Sequence, residues 1–224
     1  MDNKQSLNLV PSLGKSLVGS LGNTVIDIGE VFLDTVFDEG ILKEIPIIGT
    51  IALLTKAGIS LRERNLAKNT YAFILGFKKQ TLSEEDINNY RKRIANPKIA
   101  ERELGYALIL LDKEVHYQKA DFLGRAYRNY VDGRITWEKF VEISESISRM
   151  FMADIDYLFR IFKGTPMNFG VQEDELCCLQ RLEGIGVVSE IQPYSKGSTL
   201  VLSEGYKVTS LGRCIIGILE EGFY

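Results

Sequence analysis

Apolar residues recur every three or four positions through most of the first 160 residues, which is the spacing of one buried helical face. One such stripe runs over residues 17–36, and a second apolar segment runs over residues 46–58. Its Pro46 suits a first helical turn, where the missing amide hydrogen would have no partner. The pattern predicts about eight helices within residues 17–163, preceded by a flexible arm over residues 1–16.

Local capping signals mark where several of these helices begin. Ser60 and Glu63 have the capping-box spacing, in which the hydroxyl and carboxylate oxygens accept hydrogen bonds from amides that the helix leaves unpaired. Ser83 precedes three acidic residues, which favour the positive end of the helix dipole, and Asn96 precedes a proline. Asp154 is predicted to cap a short apolar helix.

The pattern changes after Lys163. Glycine, proline and asparagine in residues 164–170 predict a boundary. The rest of the chain, residues 171–224, is predicted to form a helix, a strand, a turn, a strand and a helix, over residues 173–183, 185–191, 193–197, 199–208 and 210–220. A helix, a two-stranded hairpin and a helix resemble the later half of a winged-helix module. The predicted fold class is therefore mainly α, a helical bundle followed by a small winged-helix-like α/β module with one β-hairpin.

The composition limits the kinds of metal site and catalytic site that the chain can contain. The chain has 224 residues, 45% hydrophobic and 25% charged, which is typical of a soluble globular protein of one or two domains. One histidine, His116, and three cysteines are too few for the usual zinc sites and for most histidine-dependent catalysis. Cys177 and Cys178 are adjacent, so they are expected to be small core residues in a reducing cytoplasm rather than part of a disulfide framework. We expect no metal, no cofactor and a cytoplasmic protein, with membrane association left open.

Three local motifs resemble functional sites, but each lacks residues that the chemistry needs. Residues 14–16 (Gly-Lys-Ser) match the end of a phosphate-binding loop, yet the position of its first glycine holds Leu9. Residues 132–140 imitate half of a calcium-binding EF-hand loop without its carboxylate ligands. Asp112 and His116 have helical spacing, but no nucleophile or third ligand lies nearby in the sequence. We therefore expect no enzyme activity.

The net charge of −3 conceals a regional separation. Residues 1–60 carry 4 basic and 7 acidic side chains, residues 61–140 carry 16 and 11, and residues 141–224 carry 7 and 12. A winged helix binds DNA with arginines and lysines of its second helix, whereas residues 173–183 hold four acids and one base. This layout disfavours nucleic acid and favours a protein partner or a homo-oligomer.

The apolar N-terminal third has two interpretations. The segment over residues 45–54, followed by basic residues, fits a lipid-contacting hairpin whose positive end faces anionic headgroups. It also fits a buried hairpin in the centre of the bundle, because a helix that is apolar on all sides is expected there. The candidate membrane or partner surface consists of Ile45, Ile47, Ile48, Ile51, Leu53, Leu54, Arg62, Arg64 and Lys68.

Two phrases of the sequence, LQRLEGIGVV over residues 179–188 and YKVTSLG over residues 206–212, follow an apolar N-terminal region and a helical middle. Together they resemble bacterial proteins of the abortive-infection alpha type and their uncharacterised relatives. The resemblance implies a role in limiting phage infection and supplies no catalytic residues. The leading interpretation is a non-enzymatic bacterial protein that acts in anti-phage defence by protein binding or self-association. A membrane-perturbing effector using residues 17–61 and a winged-helix DNA-binding regulator are the alternatives.

Overall fold

The computed structural model describes six parts of the chain, residues 3–19, 45–54, 60–79, 83–163, 173–190 and 206–220. Within them the chain is mainly helical and has one two-stranded antiparallel sheet, which confirms the predicted fold class. The chain divides into two compact units, Met1–Thr136 and Trp137–Tyr224.

The first unit is helical wherever the structure describes it. Its helices are α1 (Asn3–Val18), α2 (Pro46–Leu54), α3 (Leu61–Lys78), α4 (Glu84–Ile94), α5 (Pro97–Ala100), α6 (Tyr106–Lys113) and α7 (Tyr117–Val131), and a π-helical segment (Glu101–Gly105) joins α5 to α6.

The predicted capping signals are confirmed. The Ser60 hydroxyl accepts a hydrogen bond from the Glu63 amide at 3.3 Å, and the Glu63 carboxylate accepts one from the Ser60 amide at 2.8 Å. Ser83 and Asn96 likewise accept amide hydrogens at the starts of α4 and α5. Three helix starts are thus set by side chains a few residues away in the sequence.

The flexible arm predicted for residues 1–16 is wrong over the part that the structure describes, because that part is α1. Leu9, Leu13 and Leu17 lie on one face of this helix and are buried. Pro11 sits inside the same helix. Proline disfavours helix interiors, so its presence hid a leucine stripe that has ordinary helical spacing.

The two apolar helices predicted next are only partly described. The helix over residues 17–36 lies mostly outside the described residues. The helix over residues 46–58 begins at Pro46 as predicted, and α2 is described as far as Leu54.

Helices α3 and α7 form the most extensive contact between described elements. At Gly76, an added Cβ would lie 2.1 Å from the backbone oxygen of Asp121, and at Gly124 it would lie 2.1 Å from that of Phe73. Real Cβ atoms essentially never come within 3.0 Å of another atom. Only glycine therefore permits this separation of the two backbones.

The second unit contains α8 (Trp137–Arg149), α9 (Met152–Phe162), α10 (Glu173–Ile185), β1 (Val188–Glu190), β2 (Tyr206–Val208) and α11 (Ser210–Glu220). The strands pair antiparallel with Val188 opposite Val208. The first strand begins at Val188, three residues after the start predicted at residue 185. Residues 191 and 199–205 of the two predicted runs lie outside the described residues.

The contacts between residues divide the chain at Thr136 and Trp137, whereas the boundary predicted at residues 164–170 lies outside the described residues. Helix α9 packs against α10, β2 and α11. Helix α9 packs its apolar face against these elements, so it belongs to the same compact unit as the sheet. Where the structure describes it, the unit has three helices, two strands and a closing helix, so the helix, hairpin and helix predicted for residues 171–224 pack together with α8 and α9.

Asp154 is not the N-cap of α9 as predicted. The helix begins at Met152, and the Asp154 carboxylate accepts a hydrogen bond from the amide of Phe151 at 2.8 Å. The carboxylate therefore caps the helix from its third residue, reaching back to the N-cap amide.

We predict that Gly124→Ala lowers the free energy of unfolding of the first unit by about 3 kcal/mol, because the new methyl group meets backbone atoms that cannot move aside. Urea unfolding followed by circular dichroism measures the change. Gly105→Ala is the matched control, since its Cβ would lie 3.4 Å from the nearest atom, an ordinary contact. Equal stability of the two variants would contradict the obligatory role of Gly124.

Candidate functional site

The four isoleucines of the predicted membrane or partner surface are buried. Ile45, Ile47, Ile48 and Ile51 are each at most 6% exposed. Helix α2 packs against α1 and α3, and the Ser16 hydroxyl accepts a hydrogen bond from the amide of Ile47 at 3.1 Å. These residues are therefore not a surface in this structure, and the buried-hairpin interpretation describes α2.

The other members of the predicted surface lie apart from that core. Leu53 is 84% exposed at the end of α2, and the side chain of Leu54 lies outside the described residues. Arg62 pairs with a carboxylate of α6, Arg64 is half-buried, and the Lys68 nitrogen lies 4.6 Å from the centre of an aromatic ring of α7. The structure thus separates the set into a buried apolar part and basic residues of α3.

Glu103, in the π-helical segment, is a fully buried carboxylate. Its Oε1 accepts hydrogen bonds from Arg93 and Arg102 at 2.9 Å each and from the Tyr130 hydroxyl at 2.8 Å. π-Helical turns often occur at functional sites. Here the carboxylate is enclosed and occupied by three donors, so it joins elements of the first unit instead of facing a substrate.

Two tyrosines extend this buried polar group. The hydroxyl oxygens of Tyr90 and Tyr127 lie 2.9 Å apart. Burial raises the pKa of both side chains well above the ordinary tyrosine value. Both therefore stay protonated and act as hydrogen-bonding groups of the core.

In the second unit, α10 leads into the first strand of the antiparallel pair. Leu179 and Leu182 are buried on its inner side. The exposed residues at helical spacing on the opposite side form what we call the α10 outer face, Glu173, Leu176, Cys177, Gln180 and Glu183. This face presents apolar and acidic groups.

Arg181 is the only base of α10, and it is bound to Asp154 of α9. Its Nε lies 3.1 Å from both carboxylate oxygens, and its Nη2 lies 2.5 Å from Oδ1. Burial raises the pKa of Asp154, but hydrogen bonds from Arg181 and from the amide of Phe151 outweigh it, and the net pKa is below the usual value. The guanidinium is thus committed to a buried carboxylate.

Arg160 is the only base of α9, and it too is paired, at 3.1 Å from the Glu175 carboxylate of α10. Both arginines of the α9–α10 pair therefore neutralise acids inside the unit. The acids at the two ends of the α10 outer face, Glu173 and Glu183, have no cation partner among the described residues.

The expectation that both adjacent cysteines belong to the core is wrong. Cys177 is exposed, and Cys178 is half-buried with its sulfur 3.2 Å from Arg181 Nη2. Burial raises the pKa of the Cys178 thiol. Sequence reasoning also missed the Asp154–Arg181 pair, because its members are 27 residues apart and no local pattern relates them.

The described residues contain no group of three or more side chains able to hold a metal ion. Among the described helices, none has the length and apolar character needed to cross a bilayer. Over the described residues the fold is mainly helical, with one small antiparallel hairpin in the second unit. No family model, curated protein or solved structure matches the chain.

We predict that the chain does not retard duplex DNA in gel electrophoresis at about 50 mM salt, where contacts to phosphates are strong. The acidic α10 outer face would repel the backbone, and Arg181 is held by Asp154. The double variant Glu173→Lys and Glu183→Lys is the control, and it should retard DNA more than the unaltered chain does. A shift by the unaltered chain that weakens steeply with added salt would contradict this account.

Proposed function

We propose that this protein acts without catalysing a reaction, by binding a protein surface through the α10 outer face. The proposal rests on one observation. Helix α10, which the resemblance to a winged helix would make the DNA-reading helix, presents an exposed leucine and acidic ends, and its one arginine is paired with Asp154.

The partner surface must complement these groups. Leu176 is 43% exposed, and burying a leucine side chain fully contributes about 1.5–3 kcal/mol relative to leaving it exposed. Glu173 and Glu183 would attract a positively charged partner surface toward the α10 outer face. The chemistry fits a partner with an apolar pocket and a basic rim.

A second copy of the chain is the partner that we propose. Residues 61–136 carry 15 basic and 10 acidic side chains, whereas the second unit, residues 137–224, carries 8 and 13. Two copies of one chain can therefore bring regions of opposite net charge together. We also propose a role in anti-phage defence, which rests on the resemblance to abortive-infection alpha proteins. Self-association is one way in which such a protein could change from an inactive to an active state.

We predict that the chain associates with itself at micromolar concentration and that Leu176→Glu weakens this association at least about tenfold, since a buried charge would replace the anchor. Sedimentation velocity over a concentration series measures it. Glu183→Lys should weaken it as well, whereas Glu145→Lys, on an exposed position of α8, is the matched control. A chain that stays monomeric throughout, or responds equally to all three changes, would refute the proposal.

A membrane-perturbing effector is a second candidate, supported by two apolar side chains of the first unit. Leu61 is 85% exposed and Val115 is 76% exposed. Their backbone segments are neighbours, because Asn65 donates a hydrogen bond to the carbonyl of Glu114 at 2.7 Å. Basic residues of the first turn of α3 lie beside them, an arrangement that suits anionic headgroups. This candidate uses a different surface from the buried isoleucines.

If this second candidate is right, the chain floats with vesicles rich in anionic lipid and releases an enclosed dye. The double variant Leu61→Glu and Val115→Glu then loses both effects, because charged side chains replace the inserted apolar ones. Leu176→Glu, on the second unit, should leave flotation unchanged. Failure to float under any salt or pH condition would eliminate the membrane function.

A further inference from the structure

A groove of about 520 Å³ lies between α1 and the corner where α4 meets α5. Volumes of about 300–1,000 Å³ are usual for sites that hold one small molecule. The walls are mainly apolar and include Val10, Val18, Ile94, Pro97, Ala100 and Leu104. The groove therefore suits an apolar group of limited size.

The two ends of the groove differ in charge. Val10 and Val18 mark its ends along α1 and are about 12 Å apart at the helical rise per residue. At the Val18 end, Arg91 donates a long hydrogen bond of 3.5 Å to the Val18 carbonyl. At the Val10 end, the Glu101 carboxylate and Val10 both adjoin Gly105. One end is thus basic and the other acidic.

Lys15 adds a second cation at the basic end, in the last turn of α1. Neither Lys15 nor Arg91 forms an ion pair with a carboxylate of the described residues. Lys78 donates to the carbonyl of Gly19 just beyond the helix, and burial lowers its pKa to about 8. Arg91 and Lys78 thereby offset the partial negative charge of the helix end. Arg91 also donates to Asn88 Oδ1 at 3.4 Å, and Lys15 and Arg91 both line the groove.

We propose that this groove binds one unbranched hydrocarbon chain that ends in a carboxylate, the chemistry of a free medium-chain fatty acid. The carboxylate accepts hydrogen bonds from Lys15 and Arg91, and the chain lies along Ile94 and Leu104 toward the Val10 end. The volume admits a single chain, so the ligand is a free acid rather than a two-chain lipid of a bilayer. This site is distinct from the α10 outer face, and its test does not depend on the proposed function.

The test is calorimetric titration of the full chain with three probes of equal chain length, all kept below their micellar concentrations. The probes are dodecanoate, dodecanol and dodecyltrimethylammonium. We expect dodecanoate to bind one to one and at least about tenfold more tightly than the others, the size expected for a hydrogen bond to a charged group. The double variant Lys15→Gln and Arg91→Gln should lose that preference. Glu101→Gln is the matched control and should keep it.

Variants that fill the groove test whether dodecanoate binds there. An added Cβ at Gly14 would lie 2.9 Å from Ile94 Cδ1 and 3.2 Å from Leu104 Cδ1, so Gly14→Leu would push these two side chains into the groove and block its middle. Ala95→Phe fills the groove from an exposed position of its wall and serves if Gly14→Leu does not fold, as judged by circular dichroism.

Loss of dodecanoate binding in a folded groove-filling variant supports the site. Equal binding of the three probes, tighter binding of the cationic one, or dodecanoate binding unchanged by groove filling would each overturn the proposal. Binding to phosphatidylglycerol vesicles that dodecanoate does not displace would also overturn it, since the ligand would then be a bilayer.

Discussion

Gly76 and Gly124 bring the backbones of α3 and α7 into direct contact, and the rest of the first unit is arranged around that contact. With any larger residue the helices would separate, because a Cβ at either position would overlap a backbone oxygen. The close approach lets the rings of Phe73 and Tyr127 pack in a tilted arrangement, with 5.7 Å between ring centres. Tyr127 then meets Tyr90 of α4, which carries the packing from the central pair outward.

The π-helical segment is joined to α4 and α7 by hydrogen bonds to one buried carboxylate. Tyr130 of α7 and Arg93 of α4 both donate to the buried Glu103 carboxylate. Removing one partner of a buried ion pair costs about 3–5 kcal/mol, so this carboxylate fixes the junction of three elements. The groove lies on the outer side of that junction, between α1, α4 and α5. A ligand site there would rest on a rigid wall, which favours binding without rearrangement.

In the second unit, the Asp154–Arg181 ion pair stabilises the α9–α10 contact and also affects which charges α10 exposes. Asp154 is buried, and Arg181 compensates its charge across the α9–α10 contact. Because the arginine is paired with Asp154, the α10 outer face is left with acids and an exposed leucine. The ion pair that stabilises the α9–α10 contact therefore also occupies the one basic side chain of α10, which is the basis of the proposal that α10 does not bind nucleic acid.

Local signals in the sequence were sufficient for some of this structure. The Ser60–Glu63 box, the Ser83 cap and the closing helix over residues 210–220 were predictable because each depends on residues a few positions apart. Helix α1 was missed because Pro11 outweighed the leucine stripe around it. A single proline inside a helix is a local signal that tertiary packing can override.

The candidate site was harder to predict for a different reason. An apolar segment such as residues 45–54 has the same composition whether it faces lipid or the core, and only its tertiary neighbours decide. Glu103 and Arg181 are ordinary charged residues in the sequence, and their partners are found only in the folded chain. The acidic bias of α10 was visible in the sequence, but the pairing of its arginine with Asp154 was not.

The claim that the α10 outer face is an interface between copies is tested most directly by the alkylation rate of Cys177. This thiol lies on that face and is exposed, whereas Cys178 and Cys214 are half-buried and burial raises their pKa. The account predicts that the rate at Cys177 falls as protein concentration rises, and that Leu176→Glu keeps the rate of the dilute protein. A rate at Cys177 that does not change with concentration would contradict it.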